Sequence, residues 1–380
     1  MNKNNETFTQ FHTLDKGFKL DSGETLPKVT IAYETYGRLN QDKSNAILIF
    51  HAFSGSAHVA GINIGRKQKF WNDENITGWW DTFVGPDKII DTEKFFVICA
   101  NCLGGCYGTT GPVSYNPKTR RYYGGSFPKL AIADLVNAQK NLIDHLEIKK
   151  LHAIIGGSMG GMEVLEWLVL YPGSVKRAIP IGTCAKISTL NKILHFEQIF
   201  AIEEDPHFKK GNYYGKPHPT KGLQLARMIA HKTFVDIARL EKRARGEIIQ
   251  DEKDLKLYKL MHRIESYMLH QGKKFVQRFD ANTYLCLLQA MQSFNISRKY
   301  GNDSLDKAFV RLKTNKDLNV LVISISSDVC YYPEEQREIA DSLKHNNIRH
   351  KYVTVESDKG HDSFLVEEDK YGFMKKFLED

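Results

Sequence analysis

Cysteine and proline are both scarce in this chain, 6 and 11 residues of 380. The cysteines show no spacing of a disulfide framework, which excludes a small bridged scaffold and suits a reducing cytosol. Long hydrophobic runs are also missing. AILIFHAF and FFVICA are strand-sized, far short of the ~20 apolar residues a membrane-spanning helix needs. The opening MNKNNETFTQFHTLDKGF has no apolar segment of the kind a secretory signal requires. Cys99 and Cys102 form C-x-x-C with Cys106 nearby, but there is no second pair and a structural zinc ion wants four ligands, so no metal is expected. A redox pair is disfavoured because Cys99 falls inside an apolar strand. The glycines of NCLGGCYGTTGP lack the Gly-Lys-Ser/Thr ending of a phosphate loop.

What is present is an ordinary globular composition, 42% hydrophobic and 26% charged, in a chain long enough for one large domain or two. The net charge of +8 admits nucleic acid, an anionic membrane or an anionic small molecule as partner. Lysine and arginine are spread widely, and the densest run, RLEKRARGE, also carries Glu241 and Glu247. That mixture reads as a solvated helix face rather than a nucleic-acid patch.

Along the chain, strand and helix patterns alternate. KVTIAYETYG and NAILIFHAF read as strands joined by a hairpin or short loop, and FFVICA as another. IADLVNAQKNLIDHL has helical spacing, LHAIIGGS reads as a strand, MEVLEWLVLYP as a helix and VKRAIPIGT as a strand. Such alternation predicts an α/β fold with a mostly parallel sheet covered on both faces. From about Ala185 to Arg298 the pattern becomes helical: NKILHFEQIFAIEE, GLQLARMIAHKTFVDIARLEKRARG, DLKLYKLMHRIESYMLHQG and ANTYLCLLQAMQSF. Alternation then resumes with NVLVISISSD, PEEQREIADSLK, RHKYVTVES and YGFMKKFLED. The expected organisation is a core of 1–184 and 299–380 with a helical lid, 185–298, inserted into it.

The stretch IIGGSMGGM places Ser158 between a strand and a helix with glycines on both sides. Gly156-Gly157-Ser158-Met159-Gly160 fits G-x-S-x-G, a turn that exposes a nucleophilic hydroxyl beside a helix N-terminus. The plainer alternative is a tight turn whose serine only caps the helix. A nucleophilic serine needs a base, and the base an acid to orient it, in chain order Ser, Asp or Glu, His on this kind of sheet. Asp328 follows the strand NVLVISIS, and His361 follows the last strand in VESDKGHDSF. Each alone would read as a turn or surface residue; the three in order point to a triad. The Met159 N–H would give one oxyanion donor, and the loop FHAFSGSAHV a second, at Phe53. His51 in that loop reads as a shaping residue rather than a base.

These stretches, with GWWDTFVGPDKIIDTEKFFVICANCLGGCYGTTGP, GKKFVQRFDANTYLCLLQAMQSF and SSDVCYYPEEQ, resemble the homoserine O-acetyltransferase family, and they run in the family's order over nearly the whole chain. The resemblance implies an α/β-hydrolase fold and a ping-pong reaction in which Ser158 takes an acetyl group from acetyl-CoA, a co-substrate, with no bound cofactor. Arg227, in GLQLARMIAH, matches the arginine that grips the amino-acid carboxylate, and Asp362 the acid that meets its ammonium. It further implies a cytoplasmic homodimer that supplies methionine biosynthesis. Phe234 stands where the family often has tyrosine, and Phe53 where leucine is usual. A succinyl donor, a serine acceptor or an esterase with the same triad are the neighbouring readings. A non-enzymatic binding protein on this fold would be expected to lack a triad member, and none is lacking here.

Overall fold

Successive residues of a strand face opposite sides of a sheet, and the apolar runs in this chain are long enough to be buried on both. In the computed structural model, which describes residues 6–63, 75–244, 255 and 257–380, eight strands form one sheet. They are β1 (Gln10–Leu14), β2 (Val29–Tyr36), β3 (Ala46–Phe50), β4 (Phe96–Ala100), β5 (Leu151–Gly157), β6 (Val175–Ile181), β7 (Asn319–Ile325) and β8 (Arg349–Val355). Their spatial order is β8-β7-β6-β5-β3-β4-β2-β1. Pairing is parallel from β8 across to β4, while β2 runs antiparallel to β4 and β1 antiparallel to β2. This is the expected α/β-hydrolase sheet.

Leu48, Phe50, Ile154, Ala178 and Val322 face one layer, containing α1 (Ile132–His145) and α2 (Met159–Leu170). Their neighbours Ile47, Ile49, Ile155, Ile179 and Ile323 face the other, with Trp80, Phe83 and Tyr371. Each such buried side chain contributes roughly 1.5–3 kcal/mol relative to exposure. β2 and β3 are joined by a short turn but do not form a hairpin, because β4 lies between them. β3 is buried along its full length, so it takes a central place with parallel neighbours rather than the edge of an antiparallel ribbon.

The chain leaves the sheet after β6 and returns at β7. Between them lie α3 (Thr189–Glu203), α4 (Thr220–Phe234), α5 (Ile237–Ala244), α6 (Arg263–Val276), α7 (Ala281–Gln292), α8 (Ile296–Gly301) and α9 (Leu305–Phe309). α10 (Pro333–His345), α11 (Ser363–Val366) and α12 (Phe373–Glu379) follow. The single helix expected over 222–246 is two, broken where Val235 adopts an extended φ of −121° and ψ of 139°. Gly360 lies against the break: a Cβ there would stand 2.6 Å from the Asp236 nitrogen. Asp236 then restarts the chain by accepting from the Ala238 N–H at 2.8 Å. The end of the basic run, from 245, lies outside the described residues. DLKLYKLM begins outside them too, and residues 257–262 are not helical. Helix starts at Arg263, where the Glu265 carboxylate accepts from the Met261 and His262 N–H groups.

A buried polar cluster fixes the long segment after β3. Glu34, on β2 and fully buried, accepts through Oε2 from the hydroxyls of Thr7 (2.9 Å) and Tyr36 (2.8 Å) and pairs with His58 Nδ1 at 2.9 Å. Its Oε1 accepts from Asn63 Nδ2 (2.7 Å) and Thr9 Oγ1 (3.1 Å). His58 Nε2 faces the Ile76 carbonyl at 2.8 Å, so both ring nitrogens meet acceptor oxygens. Burial raises the Glu34 carboxyl's pKa, but His58, Tyr36 and Thr7 outweigh it and hold the group below its ordinary range. Glu34→Ala takes the carboxylate from the buried His58 and from four further donors, and we expect a loss of about 3–5 kcal/mol of stability by urea denaturation. A loss under about 1 kcal/mol would mean that the cluster fills space without holding the fold.

Candidate active site

β5 ends at Gly157 and α2 begins at Met159, leaving Ser158 alone at the corner with φ 58° and ψ −125°. A non-glycine residue there carries roughly 1–3 kcal/mol of strain, tolerated only where the surroundings fix it. Here the Ser158 N–H donates to the Ile181 carbonyl (3.0 Å), and its own carbonyl accepts from Thr183 Oγ1 (2.8 Å) and the Gly161 N–H (2.9 Å). A Cβ on Gly160 would stand 2.2 Å from the Phe50 carbonyl oxygen, so only glycine lets α2 settle against the end of β3. The Ser158 side chain makes no capping hydrogen bond. Its hydroxyl is therefore not spent on the helix.

Asp328 sits in the loop after β7. Its Oδ1 accepts from the N–H groups of Cys330 (2.8 Å) and Tyr331 (2.9 Å), which leaves Oδ2 for His361 Nδ1 at 2.7 Å. Both residues are buried. His361 Nε2 is buried without a hydrogen-bond partner. Burial lowers the imidazole's pKa, but the Asp328 and Asp362 carboxylates outweigh it and hold it above the ordinary 6.5. The Tyr331 and Phe234 rings lie 5.4 and 6.1 Å from the imidazole.

Ser158 opens into a narrow cleft whose walls include Phe53, Leu194, Phe234, Tyr284, Leu288 and Tyr331. Met159 is the first residue of α2, so its N–H has no acceptor within the helix. Phe53 sits in a turn closed by the Gly55 N–H on the Ala52 carbonyl at 2.8 Å. Burial pushes His51 down to about 4. The neutral ring accepts from the Cys102 N–H at Nε2 (3.0 Å) and faces the Ala52 carbonyl through Nδ1 (2.8 Å). It shapes the loop, as the sequence suggested.

Arg227, on α4, lays its guanidinium over the rings of Phe234 (5.0 Å) and Phe275 (4.8 Å), and its Nε is buried without a partner. Burial lowers its pKa, as does the charge of Arg278, while Asp362 works in the opposite direction. Burial raises the pKa of Asp362, against the pull of His361 and Arg227. The structure thus gathers cation, anion and base within electrostatic reach of one another. The sequence reading missed Tyr331 and Arg278. Arg278 stands between α6 and α7 and bonds a residue 224 positions away, so nothing local marks it. Among the described residues no cluster of His, Cys, Asp or Glu could hold a metal ion.

Comparison with known proteins accords with this geometry. A family model described as the alpha/beta hydrolase fold matches residues 45–368. The homoserine O-acetyltransferase of Methanococcus vannielii is 44% identical over 369 residues, covering 96% of this chain and 71% of that protein. The crystal structure of homoserine O-acetyltransferase from Bacillus anthracis superposes with a TM-score of 0.87 at 30% identity, covering 98% of this chain and 97% of that one. Esterase E22 superposes at 0.85 with 28% identity, over 97% and 99% of the two chains. Near-full-length agreement in both sequence and backbone places this chain in the homoserine O-acetyltransferase family, acyltransferases built on the α/β-hydrolase fold.

Proposed function

We propose that this protein transfers the acetyl group of acetyl-CoA to the hydroxyl of L-homoserine through an acetyl-serine intermediate. The observation that carries this reading is the buried, unpartnered His361 Nε2, backed by Asp328 and flanked by Arg227 and Asp362, groups of opposite charge. An ester hydrolase needs the first two residues but has no use for the second pair.

In the first half-reaction His361 Nε2 takes the Ser158 proton as Oγ attacks the thioester carbonyl. The Met159 and Phe53 N–H groups hold the oxyanion. The thiolate leaves with the proton from His361. In the second, His361 deprotonates the homoserine hydroxyl, which attacks the acetyl-serine, and the proton returns to Ser158. Arg227 takes the acceptor's carboxylate, with no tyrosine hydroxyl to help at Phe234, and Asp362 takes its ammonium. Acetyl rather than succinyl as the transferred group rests on the relatives, which are named homoserine O-acetyltransferases.

Residues 1–184 and 299–380 form the catalytic core in this reading, and 185–298 the lid that keeps water from the acyl-enzyme. α3 leaves Leu190, Ile193, Phe196 and Phe200 exposed at helical spacing, an apolar stripe that suits a second copy of the chain in a homodimer. No helix among the described residues is long and apolar enough to cross a membrane. The partners proposed are small molecules, neither nucleic acid nor membrane, and the setting is cytoplasmic methionine biosynthesis.

Initial rates of CoA release should be greatest with acetyl-CoA and homoserine together, against succinyl-CoA, L-serine or no acceptor. Equal rates with and without homoserine would identify an esterase instead. Ser158→Ala should lower turnover about a millionfold, and unchanged turnover would remove the covalent route. The base must be neutral to act, and its pKa is held above 6.5. Log kcat/KM should therefore fall about one unit per pH unit below a midpoint that itself lies above pH 6.5. Asp328→Asn removes the carboxylate, so it should shift this limb to lower pH and cut the rate about 10⁴-fold. A wild-type limb well below pH 6.5 would exclude His361 as the base.

A further inference from the structure

The oxyanion loop is held from the helical block as well as from the sheet. Arg278 Nη1 donates to the Ser54 carbonyl (2.9 Å) and to the Tyr107 hydroxyl (3.0 Å), and Nη2 approaches Ser54 Oγ at 3.4 Å. The Tyr107 hydroxyl in turn donates to the Arg278 carbonyl at 2.8 Å. The peptide unit joining Ser54 to Gly55 is thus pinned at both ends: its C=O by Arg278, and its N–H by the Ala52 carbonyl at 2.8 Å. His51 holds that same Ala52 carbonyl through Nδ1 at 2.8 Å. The Phe53 ring stands edge-on to Tyr284, 4.8 Å between centroids, so the turn has little freedom left.

We propose that Arg278 is a positioning residue for acyl transfer, one that fixes the 52–55 turn and so aims the Phe53 N–H at the developing oxyanion. This rests on the assignment of Phe53 as an oxyanion donor made above. The guanidinium lies 5.2 Å from the Phe275 ring centroid, and Arg227 lies 4.8 Å from the same ring. One aromatic side chain therefore links the arginine that would hold the acceptor to the arginine that sets the oxyanion loop. The rival role for Arg278, as a second ligand of the acceptor's carboxylate, would have to use Nε or Nη2, because both Nη1 hydrogens are committed to Ser54 and Tyr107.

The test uses p-nitrophenyl acetate, which acylates Ser158 without CoA or homoserine, and its analogue with C=S in place of the carbonyl. Sulfur accepts hydrogen bonds weakly, so the ratio of the two acylation rates reports the oxyanion donors. Arg278→Met should slow acylation by the ester about 10- to 100-fold, short of the 10²–10³-fold that deleting an oxyanion donor costs. The thionoester rate should change much less, and the ratio should fall accordingly. The KM for homoserine should stay within about twofold of wild type, and Arg278→Lys should recover part of the lost rate. Three results would overturn the inference: an unchanged ratio with a raised homoserine KM, which makes Arg278 a carboxylate ligand; equal slowing of both esters, which makes its role structural; or ester acylation that survives Ser158→Ala, which removes the serine reading itself. If Arg278→Met does not fold, Tyr107→Phe keeps the charge and removes the bridging hydroxyl. It should shift the ratio in the same direction by a smaller factor, and an unchanged ratio there is equally decisive.

Discussion

The corner at Ser158 is the constraint on which the rest of the site depends. A residue with φ 58° and ψ −125° relaxes unless its neighbours hold it, and here they come from two strands and a loop. β6 supplies the Ile181 carbonyl, the loop beyond it supplies Thr183, and β3 ends against the backbone of Gly160. That last contact has a second consequence. It brings the start of α2, with the N–H of Met159, beside the loop that begins at His51. The strain at one residue and the assembly of an anion-binding corner therefore have one cause: a helix that packs too closely on a strand end for any side chain at position 160.

Electrostatics then decides what that corner can do. Asp328 spends one oxygen on two backbone N–H groups, which locks its orientation, and the other on His361. The imidazole is held in one tautomer with the free nitrogen facing away from the acid. A lone carboxylate would have to offset burial unaided, but Asp362 is adjacent and adds to the field. In the proposed mechanism the same Asp362 receives the acceptor's ammonium. Acceptor binding would then withdraw part of the negative field from His361 and favour the neutral imidazole that must receive the hydroxyl proton, so the acceptor site and the base are coupled through a shared carboxylate.

The central strands were legible because each is a short apolar run buried on both faces, and the Asp328–His361 pair because both members fall in loops after strands in a fixed order. What the sequence could not show is what depends on distant contacts. β4 inserts between β2 and β3, a matter of strand order that no local pattern encodes. The helical periodicity through 222–246 continues across a break at Val235, against which Gly360, far along the chain, is packed. Arg278 looked like any charged residue near a helix end, since its partner Ser54 lies 224 positions away. His51 was legible for a different reason: His361, in the loop after the last strand, is better placed to be the base, which leaves His51 to shape its own loop.

Likeness to an esterase at a TM-score of 0.85 shows that this scaffold does not by itself choose between water and an amino acid as acceptor. Both reactions require the elbow, the base and the oxyanion donors. The choice has to be made by the helical block between β6 and β7, the part that carries Arg227 on α4 and places Arg278 between α6 and α7. These side chains sit in half-apolar surroundings, over Phe234 and Phe275, where a cation is poorly solvated and a carboxylate ligand is correspondingly welcome. In the proposed reading such a block would favour the charged acceptor over bulk water, and selectivity for transfer would come from how the inserted helices pack onto the sheet rather than from the triad.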